Sequence, residues 1–145
     1  MGVVSLIDIC ENPLTRISAA GGDVMHALKN SDNGFKGFGE VYFSWVEQGA
    51  IKAWKYHQNM TLNLVVPLGE IRFVFHIKNQ ENCFRTFIIG EERYVRLTVP
   101  PRIWFGFQGI GSGQSLLMNL ADIPHDPYEV QRKKTSEIVY NWSTQ

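Results

Sequence analysis

Between residues 38 and 120 the chain reads as eight short segments, 39–46, 50–57, 61–66, 70–77, 83–89, 94–99, 103–107 and 115–120. They are rich in β-branched and aromatic residues and separated by Gly, Pro and Asn. Runs of that length and composition suit half-buried strands, and the residues between them are turn formers. No long helical period interrupts them, so the pattern predicts an all-β fold, an antiparallel jelly roll. The exception is 127–134, where Asp126 can cap, and Pro127 can open, one short C-terminal helix. A chain of 145 residues with 44% hydrophobic content can bury about two-thirds of its unfolded surface. It is read as one domain, 1–145: an amino-terminal arm with edge strands over 1–37, a barrel over 38–122, and a turn, short helix and tail over 123–145. Residues 1–9 form an apolar, weakly alternating edge strand able to add to the sheet of a partner subunit, with Asn12-Pro13 breaking it.

Charge and cysteine content narrow the function. Fourteen basic residues balance fourteen acidic ones, so nothing draws the chain generally to phosphate backbones or anionic lipid, and no nucleic acid or membrane partner is expected. Cys10 and Cys83 form neither a disulfide framework nor a metal-type spacing, which fits two reduced thiols in the cytosol. No basic segment precedes an apolar run, and no apolar stretch approaches the roughly 18 residues of a membrane span. A soluble, cytoplasmic protein is expected.

Two stretches carry the chemistry. The first runs from Gly49 to Gly69 and contains Lys52-Ala-Trp-Lys-Tyr-His57; the second runs from Val99 to Phe107. They resemble the paired motifs of cupin barrels, whose first motif is Gly-x5-His-x-His-x4-Glu-x6-Gly. Gly49 and Gly69 stand at the required spacing, but Lys55 takes the first His position, His57 the second, and Leu62 the Glu position. In the second motif Phe105 replaces the last ligand. One imidazole cannot hold a metal that needs three or four ligands. No metal and no cofactor are therefore expected.

Within the cupins, the chain is similar to the family of dTDP-4-dehydrorhamnose 3,5-epimerase. The family's Arg-Gly-Leu-His-Tyr-Gln lies over Lys52-Ala-Trp-Lys-Tyr-His57. Phe38-Gly-Glu40 resembles its amino-terminal Phe-x-Glu, and Pro100-Pro101 with Gly106-Phe107-Gln108 resembles its Pro-Pro-Gly-x-x-His-Gly-Phe. The likeness covers roughly residues 23–142. It places the family's catalytic His on Lys55, its binding Arg on Lys52, the Lys of its third barrel strand on Leu62 and its catalytic Tyr on or near Met118. The Asp that pairs with the family's catalytic His falls beyond residue 145. The Trp-Lys-x-His-x-x-Met-Thr-x-Asn pattern and the closing Pro-His-Asp-Pro resemble a short-chain branch found with surface-polysaccharide genes. The resemblance implies a nucleotide-sugar substrate and a homodimer in which an arm of one subunit crosses the other. It also places Lys52, Glu40 and Arg102 near the nucleotide or diphosphate; Asn63 and Asn119 are further candidate substrate-binding residues.

Period-two alternation puts Lys55 and His57 on one face of their strand, the barrel interior in a cupin. Ile71, Phe73, Phe75 and Ile77 face the same interior, with Arg72 and His76 outward, and Phe105, Phe107 and Met118 add apolar lining. In such a cavity an ammonium loses hydration, and its pKa falls. His57 has an ordinary pKa suited to acid–base work. The candidate catalytic set is His57 as base, Lys55 as enolate stabiliser or second acid–base group, and Tyr42 as the hydroxyl for reprotonation; alternation turns Tyr56 away. Two functions fit. One is an epimerase acting beside the carbonyl of a nucleotide-activated 4-keto-6-deoxy sugar, with a 3,4-ketoisomerase as its near variant. The other is a non-catalytic cupin that binds a sugar or a protein.

Overall fold

The computed structural model describes residues 2–77 and 83–143. Met1 of the expected arm and the last two residues of the expected tail lie outside the described residues. Twelve strands follow in order: β1 (Cys10–Pro13), β2 (Arg16–Ile17), β3 (Val24–Met25), β4 (Glu40–Val46), β5 (Ile51–His57), β6 (Leu62–Leu68), β7 (Glu70–His76), β8 (Phe84–Gly90), β9 (Val95–Val99), β10 (Trp104–Gly109), β11 (Ser115–Ala121) and β12 (Val130–Arg132). β4 to β11 match the eight segments read from the sequence. They pair antiparallel into two five-stranded sheets, ordered β1-β9-β6-β11-β4 and β12-β5-β10-β7-β8, with β2 and β3 as a separate hairpin. The all-β expectation holds. The hydrogen-bonded sheets remain two open layers, with β1 and β4 at the edges of one and β12 and β8 at the edges of the other, and they do not close into a ring.

One core lies between the layers. Leu62, Leu64 and Val66 of β6, and Leu97 and Val99 of β9, meet Ile71, Phe73 and Phe75 of β7 and Phe105 of β10. A second cluster, Trp54, Val74, Trp104, Ile138 and Trp142, lies on the outer face of the other sheet under the C-terminal segment. Arg72 does point away from the inter-sheet core, but this cover buries it: Nη1 donates to Gln108 Oε1 at 3.0 Å and to the Trp142 carbonyl at 3.2 Å.

Two sequence expectations are corrected here. The helix over 127–134 does not form. Asp126 does cap a turn, its Oδ1 accepting from Tyr128 N at 2.9 Å and its carbonyl from Glu129 N at 3.1 Å. The chain then extends as β12 because β5 offers an open edge, and pairing there satisfies more backbone than one isolated helical turn. No α-helix occurs among the described residues, only the 3-10 turns Leu6–Asp8 and Thr135–Glu137. The start of the chain is not a free strand for a partner's sheet either. Leu6 and Ile9 are buried, Arg85 Nη1 donates to both their carbonyls, and β1 runs through Asn12-Pro13 to pair with β9 of the same chain. Pro13, which has no N–H to donate, fits because it ends an edge strand.

Candidate active site

Local backbone geometry makes β5 the carrier of the site. Gly49 before it and Gly69 after β6 hold φ of 79° and 81°, a left-handed region that favours glycine. This explains why the motif is bracketed by glycines. Between Phe105 and Gly106 the register across to β5 jumps from Lys55 to Ala53, so Trp54 is bulged. Its indole turns to the outer cluster, where Nε1 donates to the Thr135 carbonyl at 3.1 Å. A Cβ on residue 106 would stand 2.5 Å from Ala53 Cβ, so glycine is required for this close approach. The bulge re-aims the strand and lets Lys52 join Lys55 on the cavity. Lys52 Nζ donates across to the Trp45 carbonyl of β4 at 3.2 Å.

That cavity opens between the two sheets with a volume of about 320 Å³, at the lower end of small-molecule sites. One wall carries Lys52, Lys55, Phe105, Phe107 and Arg132; the other carries Tyr42, Ser44, Leu64, Leu117 and Asn119. Lys55 is half-buried, with Phe105 opposite it on β10 and Arg132 opposite it on β12. Like charges directly opposite on paired strands are destabilising. Burial first, then the charges of Arg132 and Lys52, push the Lys55 amine below its ordinary range.

His57, one step further along the same face, is 6% exposed, and its Nδ1 lies 2.5 Å from Glu129 Oε1. The other oxygen, Oε2, accepts from Asn59 N at 3.0 Å and Met60 N at 3.2 Å. Burial alone would raise the Glu129 carboxyl; the hydrogen bonds from His57, Asn59 and Met60 outweigh it and hold the group below its ordinary value. Burial pushes His57 down against the pull of Glu129, so the ring stays neutral. An ionised Glu129 accepts a hydrogen bond from Nδ1–H, which leaves the lone pair on Nε2. That atom is buried and has no hydrogen-bond partner among the described residues. An unmet buried polar atom costs about 1–3 kcal/mol, a cost that a bound ligand can relieve. Phe105 stacks on the imidazole at 6.0 Å and stands between it and the cavity.

On the facing wall, Tyr42 Oη accepts from Asn119 Nδ2 at 3.0 Å. Burial, then the negative charge of Glu40, push the phenol up, so it stays protonated. Asn119 Oδ1 is buried without a hydrogen-bond partner among the described residues, a second unmet polar atom beside the cavity.

Of the residues read from sequence, Lys52, Lys55, Tyr42 and Asn119 are brought to the cavity. His57 lies immediately behind it, and Tyr56 packs outward on Trp104 as alternation requires. Three assignments are corrected. Asn63 is on the opposite face of β6 from Leu62 and Leu64; Oδ1 accepts from Arg96 Nε and Thr98 Oγ1, and Nδ2 donates to the Gly34 carbonyl, so it clamps the 27–34 loop. Met118 faces away from Leu117 and Asn119, one residue out of phase with the lining. Arg102 sits in the turn before β10 at φ 69°, outside the cavity lining. Glu40 begins β4, is not in the cavity lining, and bears on Tyr42 through its charge. Sequence reasoning missed Glu129 and Arg132. Glu129 lies 72 residues from His57, and the helical reading of its segment hid the strand whose pairing sets Arg132 opposite Lys55 and leaves Glu129 just before it, beside His57. Among the described residues no cluster of three His, Cys, Asp or Glu gathers that could hold a metal, and no helix is long and apolar enough to cross a membrane.

No protein-family model matches the sequence. Among solved structures, the dTDP sugar isomerase of Desulfovibrio desulfuricans is 33% identical, with a TM-score of 0.87 over 95% of this chain and 92% of that one. The sugar 3,4-ketoisomerase of Thermoanaerobacterium thermosaccharolyticum, solved in complex with TDP, shares the fold at 17% identity and a TM-score of 0.75, covering 92% and 94% of the two chains. Among curated proteins, the probable low-salt glycan biosynthesis epimerase of Haloferax volcanii is 28% identical over 105 residues; the match spans 69% of this chain and just under two-thirds, 65%, of that relative.

Proposed function

Because the chain belongs to the cupin family of dTDP-sugar isomerases and epimerases that dTDP-4-dehydrorhamnose 3,5-epimerase represents, we propose that it is a cytoplasmic epimerase in glycan or surface-polysaccharide synthesis. Its substrate on this reading is a nucleotide-activated 4-keto-6-deoxy sugar, inverted at a carbon next to the ketone. We read its two open sheets as the jelly roll of that family.

One observation carries this reading: an amine and a phenol face each other from the two sheets across one cavity, and the imidazole of His57 with its free lone pair packs against Phe105 of the lining. A C–H bond next to a ketone yields its proton only when the resulting charge is stabilised, and inversion needs a proton returned to the opposite face. His57 Nε2, its tautomer held by Glu129, is the base. Lys55 meets the carbonyl, and Tyr42, on the other wall, returns the proton. Lys52 and Arg132 hold the diphosphate, and Asn119 orients Tyr42.

The partner is a second copy. On the outer face of β4, Val41, Phe43 and Trp45 are exposed and stand in register beside Leu120, Met118 and Leu116 of β11. That apolar ladder on an edge strand invites pairing.

Proton NMR in heavy water with a panel of nucleotide-linked 4-keto-6-deoxy hexoses tests the reading. Deuterium entering C3 or C5 above the enzyme-free rate is expected and names the inverted carbon. A product whose ketone has moved to C3 makes the protein a 3,4-ketoisomerase. Broadened ligand signals without exchange make it a binding protein.

A further inference from the structure

Lys55 occupies an unusual position even for a group that meets a carbonyl. It lines the cavity between Phe105 and Arg132, and Lys52 shares its wall. Among the described residues no carboxylate lies within ion-pair distance of its nitrogen and no hydrogen bond holds it. A cation placed beside two others and against aromatic carbon is disfavoured, so the amine gives up its proton more readily than an ordinary lysine despite the opposing pull of Glu129. A desolvated amine next to other cations is an activated nucleophile toward ketones. Resting on the epimerase reading above, we infer that Lys55 forms a Schiff base with the ketone of the bound sugar, so that the adjacent C–H is activated by an iminium ion.

The steps balance without an oxidant or reductant. The Nζ lone pair bonds to the carbonyl carbon, and one N–H proton moves to the oxygen. The carbinolamine takes one proton from solvent and expels water, leaving the iminium. His57 Nε2 removes the neighbouring C–H proton, and the electron pair of that bond flows to nitrogen as a neutral enamine. Tyr42 protonates the enamine from the other wall, which restores the iminium with the centre inverted. Water then adds and a proton departs, releasing ketone and free amine. Solvent returns the proton from the imidazolium to Tyr42.

The test uses the intact protein, dTDP-4-keto-6-deoxyglucose and sodium cyanoborohydride, which reduces iminium ions and spares ketones at neutral pH. A mass gain equal to the sugar nucleotide less one oxygen is expected, mapped to Lys55 and absent from Lys55→Arg. That variant keeps a cation but cannot form the imine. It should lose about 100-fold or more of the deuterium exchange, while circular dichroism and dTDP binding report an intact fold. Exchange by the wild type with no adduct at Lys55, or with adducts only on other lysines, overturns the Schiff base and leaves the epimerase standing. So does Lys55→Arg exchanging within tenfold of wild type. No adduct together with no exchange removes both.

Discussion

Replacing Glu129 by Gln tests the site at its most buried point. The carboxylate receives three N–H groups, from His57 Nδ1, Asn59 and Met60. A Gln oxygen can keep the two backbone donors, but its NH2 then faces His57. The ring must shift its proton from Nδ1 to Nε2, and the lone pair assigned as base disappears. A charged hydrogen bond contributes about 1.5–3 kcal/mol, so Glu129→Gln should destabilise by about 2 kcal/mol. In a chain of this size that lowers the Tm by roughly 4–8 °C. Losing a positioned base should slow exchange by about 10²–10⁴. The pH dependence has a definite sign. The carboxyl is held down in the fold, so its stabilisation is complete above the ordinary carboxyl value and is lost as pH falls through the lower folded value. His57 is also held down; the unfolded ring binds its proton first, so stability declines as pH drops below about 6.5. In Glu129→Gln the carboxyl part of this acid loss should vanish. Urea melts across pH, with deuterium wash-in at neutral pH, measure both effects. A variant that exchanges within threefold of wild type would refute His57 as the base oriented by Glu129.

Three further outcomes follow from the geometry. Asn63→Ala strands Arg96 Nε and the Thr98 hydroxyl and should cost about 2–4 kcal/mol in a urea melt; a raised KM at unchanged stability would return Asn63 to the substrate. Arg132→Gln removes the larger of the two charges that depress Lys55, so the amine titrates higher and the acid limb of the exchange-versus-pH profile moves to higher pH; an unmoved limb would dissociate Lys55 from the rate. Phe43→Glu places a carboxylate in the exposed ladder and should convert a dimer to monomer by light scattering, whereas wild type already monomeric at micromolar concentration would remove the dimer.

Much of this protein was legible in its residue order. Strand boundaries followed from turn formers between β-branched runs, because both are local preferences of the backbone. The shared face of Lys55 and His57 followed from a period of two, which holds wherever a strand is regular. The same rule left Lys52 on the other face, and the bulge at Trp54, which requires Gly106 beside Ala53, returned it to the cavity. A bulge depends on two strands fifty residues apart, so neither strand announces it alone. Met118 and Asn63 failed for a related reason: their strands were found, but which face met the core was decided by the opposing sheet. The segment after Asp126 has credible helical capping, and only the open edge of β5 made it a strand, bringing Glu129 to His57 and Arg132 to Lys55. Composition and local pattern thus determined the β class and the shared face of Lys55 and His57. The carboxylate hydrogen-bonded to the imidazole and the cation that helps lower the Lys55 amine came from tertiary pairing, because charge acts through space and not along the chain.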